Sequence, residues 1–118
     1  MDPHRVERMS EALREELDEL IEYEMSDPRV SGVTVTDVWV SPDRKKARVR
    51  VAMPPDEQVR KDALEALEHA KGFLKREVTS RLQMFRCPDL YFEADVSPAL
   101  AARLENILKR VKKGRPRD

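Results

Sequence analysis

The sequence predicts a small α+β domain in which helices pack on one face of a three-stranded sheet. Its 118 residues suffice for one hydrophobic core but not for two. Apolar residues recur at steps of three and four in several long stretches, which predicts helices, and they alternate in short stretches, which predicts strands. The predicted order is α-β-β-α-kink-α-β followed by a C-terminal helix.

The first predicted helix extends from about Pro3 to Met25. Its apolar positions lie on one face, and arginine and glutamate fill the other faces. The helix must end before Asp27-Pro28, because proline disfavours helical geometry in the residue that precedes it. The apolar stripe consists of Val6, Met9, Leu13, Leu17, Leu20 and Ile21.

β-Branched residues predict the first two strands. Residues 33–40 form the first, but their alternation changes phase, so we expect a bulge near Thr36-Asp37 that restores a single apolar face. Residues 41–44 have turn chemistry. The second strand, residues 46–53, alternates an apolar set with Lys46, Arg48 and Arg50. One face of this strand is therefore predicted to be core and the other cationic.

An interrupted apolar stripe over residues 63–82 predicts two consecutive helices, the first ending at about His69, with Gly72 as the residue that breaks the stripe. Glycine inside a helix costs about 1 kcal/mol relative to alanine, so this position requires a reason. One reason is a kink that frees backbone amides beside Lys71, Lys75 and Arg76 for an anion. The other is that Gly72 merely lets another helix or strand approach closely. The spacing alone does not decide between them.

Asp56 is the expected N-cap of the first of these helices, and Cys87-Pro88-Asp89 introduces a third strand over residues 90–96. Ser97-Pro98 begins a last helix whose stripe ends at Val111. We expect one domain over residues 1–111 and a basic flexible tail over residues 112–118. The predicted core contains Leu17, Ile21, Val35, Val49, Val51, Leu67, Leu74 and Phe92.

Charge is balanced in total but segregated along the chain. Lysine plus arginine and aspartate plus glutamate number 23 each. Residues 1–30 contain ten carboxylates and four arginines, whereas residues 44–50 contain five basic residues and no acid. Residues 109–118 contain six basic residues and one acid. We therefore expect an acidic side and a basic side, which favours a polyanionic partner.

Catalysis, metal binding and membrane insertion are disfavoured by the residues available. His4 and His69 have no cysteine or carboxylate at motif spacing, and no glycine-rich phosphate loop is present. Cys87 is a single cysteine, which excludes an internal disulfide and supplies too few thiols for a zinc site. The apolar runs are too short for a signal peptide or a membrane span. We expect a cytoplasmic protein that is not an enzyme and uses no cofactor or metal.

The order of elements and the Ala70-Lys71-Gly72 interruption resemble the type II KH fold of the bacterial ribosome-binding factor A family. In KH domains a G-x-x-G loop clamps the nucleic-acid backbone, and this family replaces the loop with an Ala-x-Gly kink, which Ala70 and Gly72 match. The resemblance covers roughly residues 6–96. Its other matching segments are Arg5-Val6, Asp27-Pro28-Arg29-Val30, residues 33–38 with Val40-Ser41-Pro42-Asp43 behind them, and Phe73-Leu74-Lys75-Arg76-Glu77.

The resemblance implies a monomeric assembly factor that binds the small ribosomal subunit and its ribosomal RNA near the decoding region. It implies a role in late maturation, in processing of the small-subunit ribosomal RNA and in cold adaptation, with assembly GTPases as further candidate partners. The positions expected to contact RNA are Lys45, Lys46, Arg48, Arg50, Ala70, Lys71, Gly72, Lys75, Arg76, Arg81, Lys112 and Lys113.

A non-catalytic protein–protein interaction module with a charged surface is the alternative. Single charge runs are usually solvated faces, but here three separate stretches are basic while the first helix collects the acid. Salt distinguishes the two functions: phosphate contacts weaken steeply as salt rises, whereas a mainly apolar protein interface responds little.

Overall fold

Three helices and three strands make up residues 3–96, the part of the chain that the computed structural model describes. In chain order they are α1 (Pro3–Glu19), β1 (Thr34–Val40), β2 (Lys46–Ala52), α2 (Glu57–His69), α3 (Lys71–Arg81) and β3 (Asp89–Asp95). A π-helical turn, Leu20–Glu24, continues α1. This order confirms the prediction as far as β3. The predicted C-terminal helix and the tail with Lys112 and Lys113 lie outside the described residues.

The sheet has the strand order β1-β2-β3, with β1 antiparallel and β3 parallel to β2. The predicted bulge is confirmed, because Val35 pairs with Val51 while Asp37 pairs with Arg50, which leaves Thr36 as the extra residue. With Thr36 extruded, the valines on both sides of the bulge lie on the same buried face of β1.

α1 lies beside β1 and supplies two side-chain acceptors to its backbone. The Val40 N–H donates to Ser10 Oγ at 3.2 Å, and the Val35 N–H donates to Asp18 Oδ1 at 3.0 Å. β1 is an outer strand of the sheet, so these bonds satisfy amides that have no neighbouring strand on that side.

The core lies between the helices and one face of the sheet. Seven of the eight predicted core residues are at most 2% exposed, and the prediction is wrong for Phe92, which packs against the core but stays partly exposed. Leu90, on the same strand, is fully buried instead.

Candidate nucleic-acid interface

A break at Ala70 separates α2 from α3 and confirms the predicted interruption. Ala70 has φ −86° and ψ −1°. Its N–H still donates to Ala66 O at 3.0 Å, and its carbonyl accepts from the Leu74 N–H at 2.9 Å. Alanine can adopt these angles, so the break does not require glycine. The predicted end of the preceding helix at about His69 is confirmed, but the prediction that Gly72 makes the break is wrong, because the break is at Ala70.

Gly72 lies in the first turn of α3 and does not have a positive φ. Apart from its own helical backbone, a Cβ at this position would meet only the Arg76 guanidinium, at an ordinary contact distance of 3.5 Å. Within residues 3–96 no second helix or strand therefore approaches Gly72 closely, and this part of the chain gives no support to the packing explanation of this glycine. Gly72 is exposed to solvent, with Arg76 beside it.

The first turn of α3 lies directly after the helix break and contains the exposed Gly72. Within α3 itself the amides of this turn have no carbonyl one turn earlier, and they lie at the positive end of the helix dipole. The Lys71 ammonium is also here, 2.8 Å from Glu68 Oε2. Such an arrangement can accept a phosphate oxygen.

Tyr91 connects the helix break to the outer face of the sheet. The Lys71 Nζ lies 5.7 Å from the centroid of the Tyr91 ring, and the Lys46 Nζ lies 6.0 Å from the same centroid. Both distances are within the range of a cation–π interaction. Tyr91 is 47% exposed, and the sequence hypothesis did not include it. Its alternation with the inward-facing Leu90 was the signal that could have identified it.

The outer face of the sheet is mixed in charge, although β2 alone is cationic. One Glu93 oxygen lies 3.3 Å from Arg48 Nη2 and 3.3 Å from Arg50 Nε. Asp37 on β1 is paired in register with Arg50. The prediction for β2 itself is confirmed, because its cationic residues are exposed and its apolar residues are buried. The neighbouring strands nevertheless place carboxylates beside the arginines of β2, so the sheet face as a whole is not purely cationic.

Lys75 and Arg81, two further predicted residues of α3, form ion pairs with different parts of the protein. The Lys75 Nζ lies 2.7 Å from Asp89 Oδ1, and this hydrogen bond, together with the charge of Lys75, lowers the pKa of Asp89. Arg81, at the far end of α3, turns instead towards the acidic first helix, where it pairs with Glu24 and lies 3.9 Å from Glu16. The structure thus brings together six residues, which we call the break surface: Lys46, Arg48, Arg50, Lys71, Lys75 and Tyr91.

Within residues 3–96 no group of three histidine, cysteine, aspartate or glutamate side chains is arranged to hold a metal ion. Burial raises the pKa of the Cys87 thiol to about 11, so this residue is a protonated thiol at neutral pH. Over the same residues, no helix is long and apolar enough to cross a membrane.

The mixed sheet, the paired helices with a break at Ala70 and the lysines beside that break define a KH-like α+β domain with a basic surface. Comparison with known families agrees with this class. The family model described as Ribosome-binding factor A matches residues 5–108, and the chain belongs to that family.

Relatives and solved structures are consistent with this assignment. The chain is 46% identical over 118 residues to Ribosome-binding factor A of Solibacter usitatus, covering 100% of this chain and 96% of that protein. A crystal structure of ribosome-binding factor A from Thermus thermophilus is similar with a TM-score of 0.69 and 31% identity, over 79% of this chain and 99% of that chain. A homology model of the Thermus thermophilus factor, fitted into the cryo-EM map of a 30S–RbfA complex, has a TM-score of 0.57 and 30% identity, over 79% and 93% of the two chains.

Proposed function

We propose that this protein is a non-catalytic assembly factor that binds the small ribosomal subunit through its ribosomal RNA. It would act during late maturation, including processing of the small-subunit RNA and adaptation to cold, as a monomer and with assembly GTPases as further partners. Membership of the ribosome-binding factor A family supports the ribosomal partner. So does the similarity to the Thermus thermophilus factor whose model was fitted into a 30S complex.

The observation that carries the RNA contact is the row formed by Lys71, Tyr91 and Lys46. This row joins the first turn of α3 to the outer face of the sheet. One phosphate of a bound strand would accept hydrogen bonds from the amides beside Gly72. The next phosphates would lie against the two ammonium groups, and the exposed Tyr91 ring offers a surface on which a base can stack.

The proposed phosphate contacts do not all contribute equally. Lys46 has no ion pair to a carboxylate within residues 3–96, whereas Arg48 and Arg50 share Glu93. A phosphate that binds these arginines must displace the carboxylate or accept its repulsion. The structure therefore favours Lys46 over its two neighbours on β2 as the phosphate contact.

The experiment is a titration of purified small subunits with the protein at several salt concentrations. Replacing Lys46 and Lys71 by Gln should weaken binding and reduce the slope of log K against log salt by at most about 1.4 to 1.8, the value for two full phosphate contacts, because Glu68 neutralises part of the Lys71 charge. Lys61→Gln is the matched control, because Lys61 is an exposed lysine on α2 that pairs with Glu57. Wild-type binding that does not respond to salt would refute an RNA contact and support a protein interface.

A further inference from the structure

Phe85 is held in solvent by the geometry of the turn that ends α3. The side chain is fully exposed, more so than any other large apolar side chain within residues 3–96. α3 ends at a left-handed Gln83, with φ 52°. The Met84 N–H donates to Thr79 O at 3.0 Å, and the Gln83 N–H donates to Ser80 O at 3.3 Å. This is the Schellman pattern of helix termination. Met84 then packs against the core while Phe85 is left outside.

Two depressions that share Arg86 are lined by basic side chains. Phe85 lines the first, of about 410 Å³, together with Arg76, Arg86 and Lys75, whose ammonium pairs with Asp89. The second, of about 270 Å³, is lined by Arg86, Arg44, Lys45 and Asp89. Within residues 3–96, Arg44, Lys45, Arg76 and Arg86 form no ion pair to a carboxylate. We call these five residues, Arg44, Lys45, Arg76, Phe85 and Arg86, the loop cluster.

The β1–β2 turn contributes its two cations from a fixed backbone. Asp43 Oδ1 accepts from the Ser41 hydroxyl at 2.6 Å and from the Lys45 N–H at 3.0 Å. Both hydrogen bonds lower the pKa of Asp43, and the bond from the Ser41 hydroxyl has the larger effect. The Lys45 carbonyl accepts from the Asp89 N–H at 2.9 Å, which joins the turn to the start of β3. The Asp43 carboxylate is thus used within the turn and forms no ion pair with Arg44 or Lys45.

We propose that the loop cluster is a second RNA contact, which stacks an unpaired base on Phe85 and binds the flanking phosphates through its four cations. The inference rests on the proposed function, because it adds a contact for the same partner. Aromatic rings stack on any base, and unpaired cations beside such a ring are the arrangement that binds single strands. An apolar protein partner would leave these cations desolvated and unpaired. Lys75 of the break surface lines the same depression as Arg76 and Phe85, so one strand can reach both regions.

The experiment compares binding of variants to purified small ribosomal subunits. Phe85→Leu should raise the Kd about 5- to 100-fold through the loss of one stacked base, while Phe85→Tyr, which keeps the ring, should bind like the wild type. Tyr23→Leu is the matched control, because Tyr23 is 74% exposed but lies between Glu22 and Glu24. Replacing Arg76 and Arg86 by Gln should reduce the salt slope by about 1.4, the value for two phosphate contacts to a single strand.

Thermal unfolding of each variant separates binding from folding, and the midpoint of Phe85→Leu should match the wild type because the ring is in solvent. Wild-type affinity in Phe85→Leu would overturn the inference and leave the proposed function intact.

Ultraviolet crosslinking of the wild-type complex gives a second measurement. A nucleotide attached at Phe85 or Arg86 supports the inference, and a ribosomal-protein peptide attached there overturns it. Failure of the wild type to bind small subunits at all would refute the proposed function itself.

Discussion

The break surface and the loop cluster have similar numbers of basic residues but differ in what lies beside them. In the break surface Lys71 faces Glu68, Lys75 faces Asp89, and the two arginines of β2 share Glu93. The cations of the loop cluster form no such ion pair within residues 3–96. The positive charge available to a partner is therefore set by cross-strand and helical neighbours rather than by the number of basic residues in a stretch.

This difference has an energetic consequence for a polyanion. Exposed ion pairs contribute little to stability, so a phosphate can displace Glu93 from the β2 arginines. The displaced carboxylate still remains close and opposes the phosphate. At the loop cluster, Asp89 lines one of the two depressions and its charge also interacts with Arg86, but its ion pair is with Lys75. Each cation of the loop cluster should therefore contribute more to RNA affinity than each arginine of β2.

Loosening α3 should disrupt both regions together, which gives the largest expected effect. Leu74 is fully buried on α3, between residues of the break surface and the loop cluster. Leu74→Ala should lower the free energy of unfolding by about 2 to 5 kcal/mol, measured by urea denaturation. Val59→Ala is the control, because Val59 is 44% exposed on α2. Equal stabilities for the two variants would show that α3 is not anchored through this stripe.

Removing the arginines of β2 tests the comparison directly. Arg48→Gln with Arg50→Gln should reduce the salt slope of small-subunit binding by clearly less than the roughly 1.4 expected for two full phosphate contacts. The reason is that Glu93 already neutralises part of their charge. A reduction as large as that from replacing Arg76 and Arg86 would show that ion pairing does not distinguish the two regions.

Removing Glu93 should convert the β2 arginines into unpaired cations. Glu93→Gln keeps the shape of the side chain, so it should strengthen small-subunit binding and increase the salt slope, by less than about one unit. Glu57→Gln is the control, because Glu57 pairs with Lys61 on α2, away from either region. Unchanged binding in Glu93→Gln would mean that Arg48 and Arg50 do not contact phosphates.

The fold was largely predictable from the sequence because the periods of the apolar residues are local. The phase change in β1 sufficed to locate the bulge at Thr36, and the cap at Asp56 is confirmed by its bond from the Val59 N–H at 2.9 Å. The partial exposure of Phe92 was not predictable, because alternation places it on the same strand face as the fully buried Leu90. How far each position of that face is covered depends on the packing of other elements, which alternation does not contain.

The candidate site was predictable only as a set of residue types. Lys71 and Lys75 were identified with their helix break. The carboxylates that pair with them come from other elements, Glu68 from α2 and Asp89 from β3. Arg81 has the same helical spacing as its neighbours, yet it reaches across to Glu24 of the acidic first helix. Pairings between elements cannot be read from spacing within one element, which is why basic residues of one stretch have different surroundings.

Replacing Gly72 should have a smaller effect on stability, and it tests whether this glycine causes the helix break. Gly72→Ala should stabilise the protein by up to about 1 kcal/mol, because the position is helical and its Cβ would meet only Arg76 Nη1 at 3.5 Å. Gly32→Ala should instead destabilise it by about the same amount, since Gly32 has φ 79° and open space around it. If Gly72→Ala destabilised the protein, the helix break would depend on Gly72 after all.

The smallest expected effect on stability comes from the pKa of Asp89, which lies where the two regions meet. Its pKa is lowered by the hydrogen bond and charge of Lys75, and further by Arg86 and Lys71. A lowered folded-state pKa stabilises the protein above the ordinary aspartate value of about 3.9, and that stabilisation is lost as pH falls through the folded-state pKa. Because Asp89 is exposed, salt should screen the effect.

The measurement is a carboxyl NMR titration of Asp89 in the wild type and in Lys75→Gln. The pKa of Asp89 should rise towards its ordinary value in the variant, and the stability difference between the two proteins should disappear below the folded-state pKa, where Asp89 is uncharged. Asp43, whose pKa is lowered chiefly by the Ser41 hydroxyl, should titrate alike in both proteins and serves as the internal control.

An Asp89 pKa that did not move would show that Lys75 is unpaired in solution. Lys75 would then belong with the unpaired cations of the loop cluster, and the boundary between the two regions would lie one turn earlier on α3.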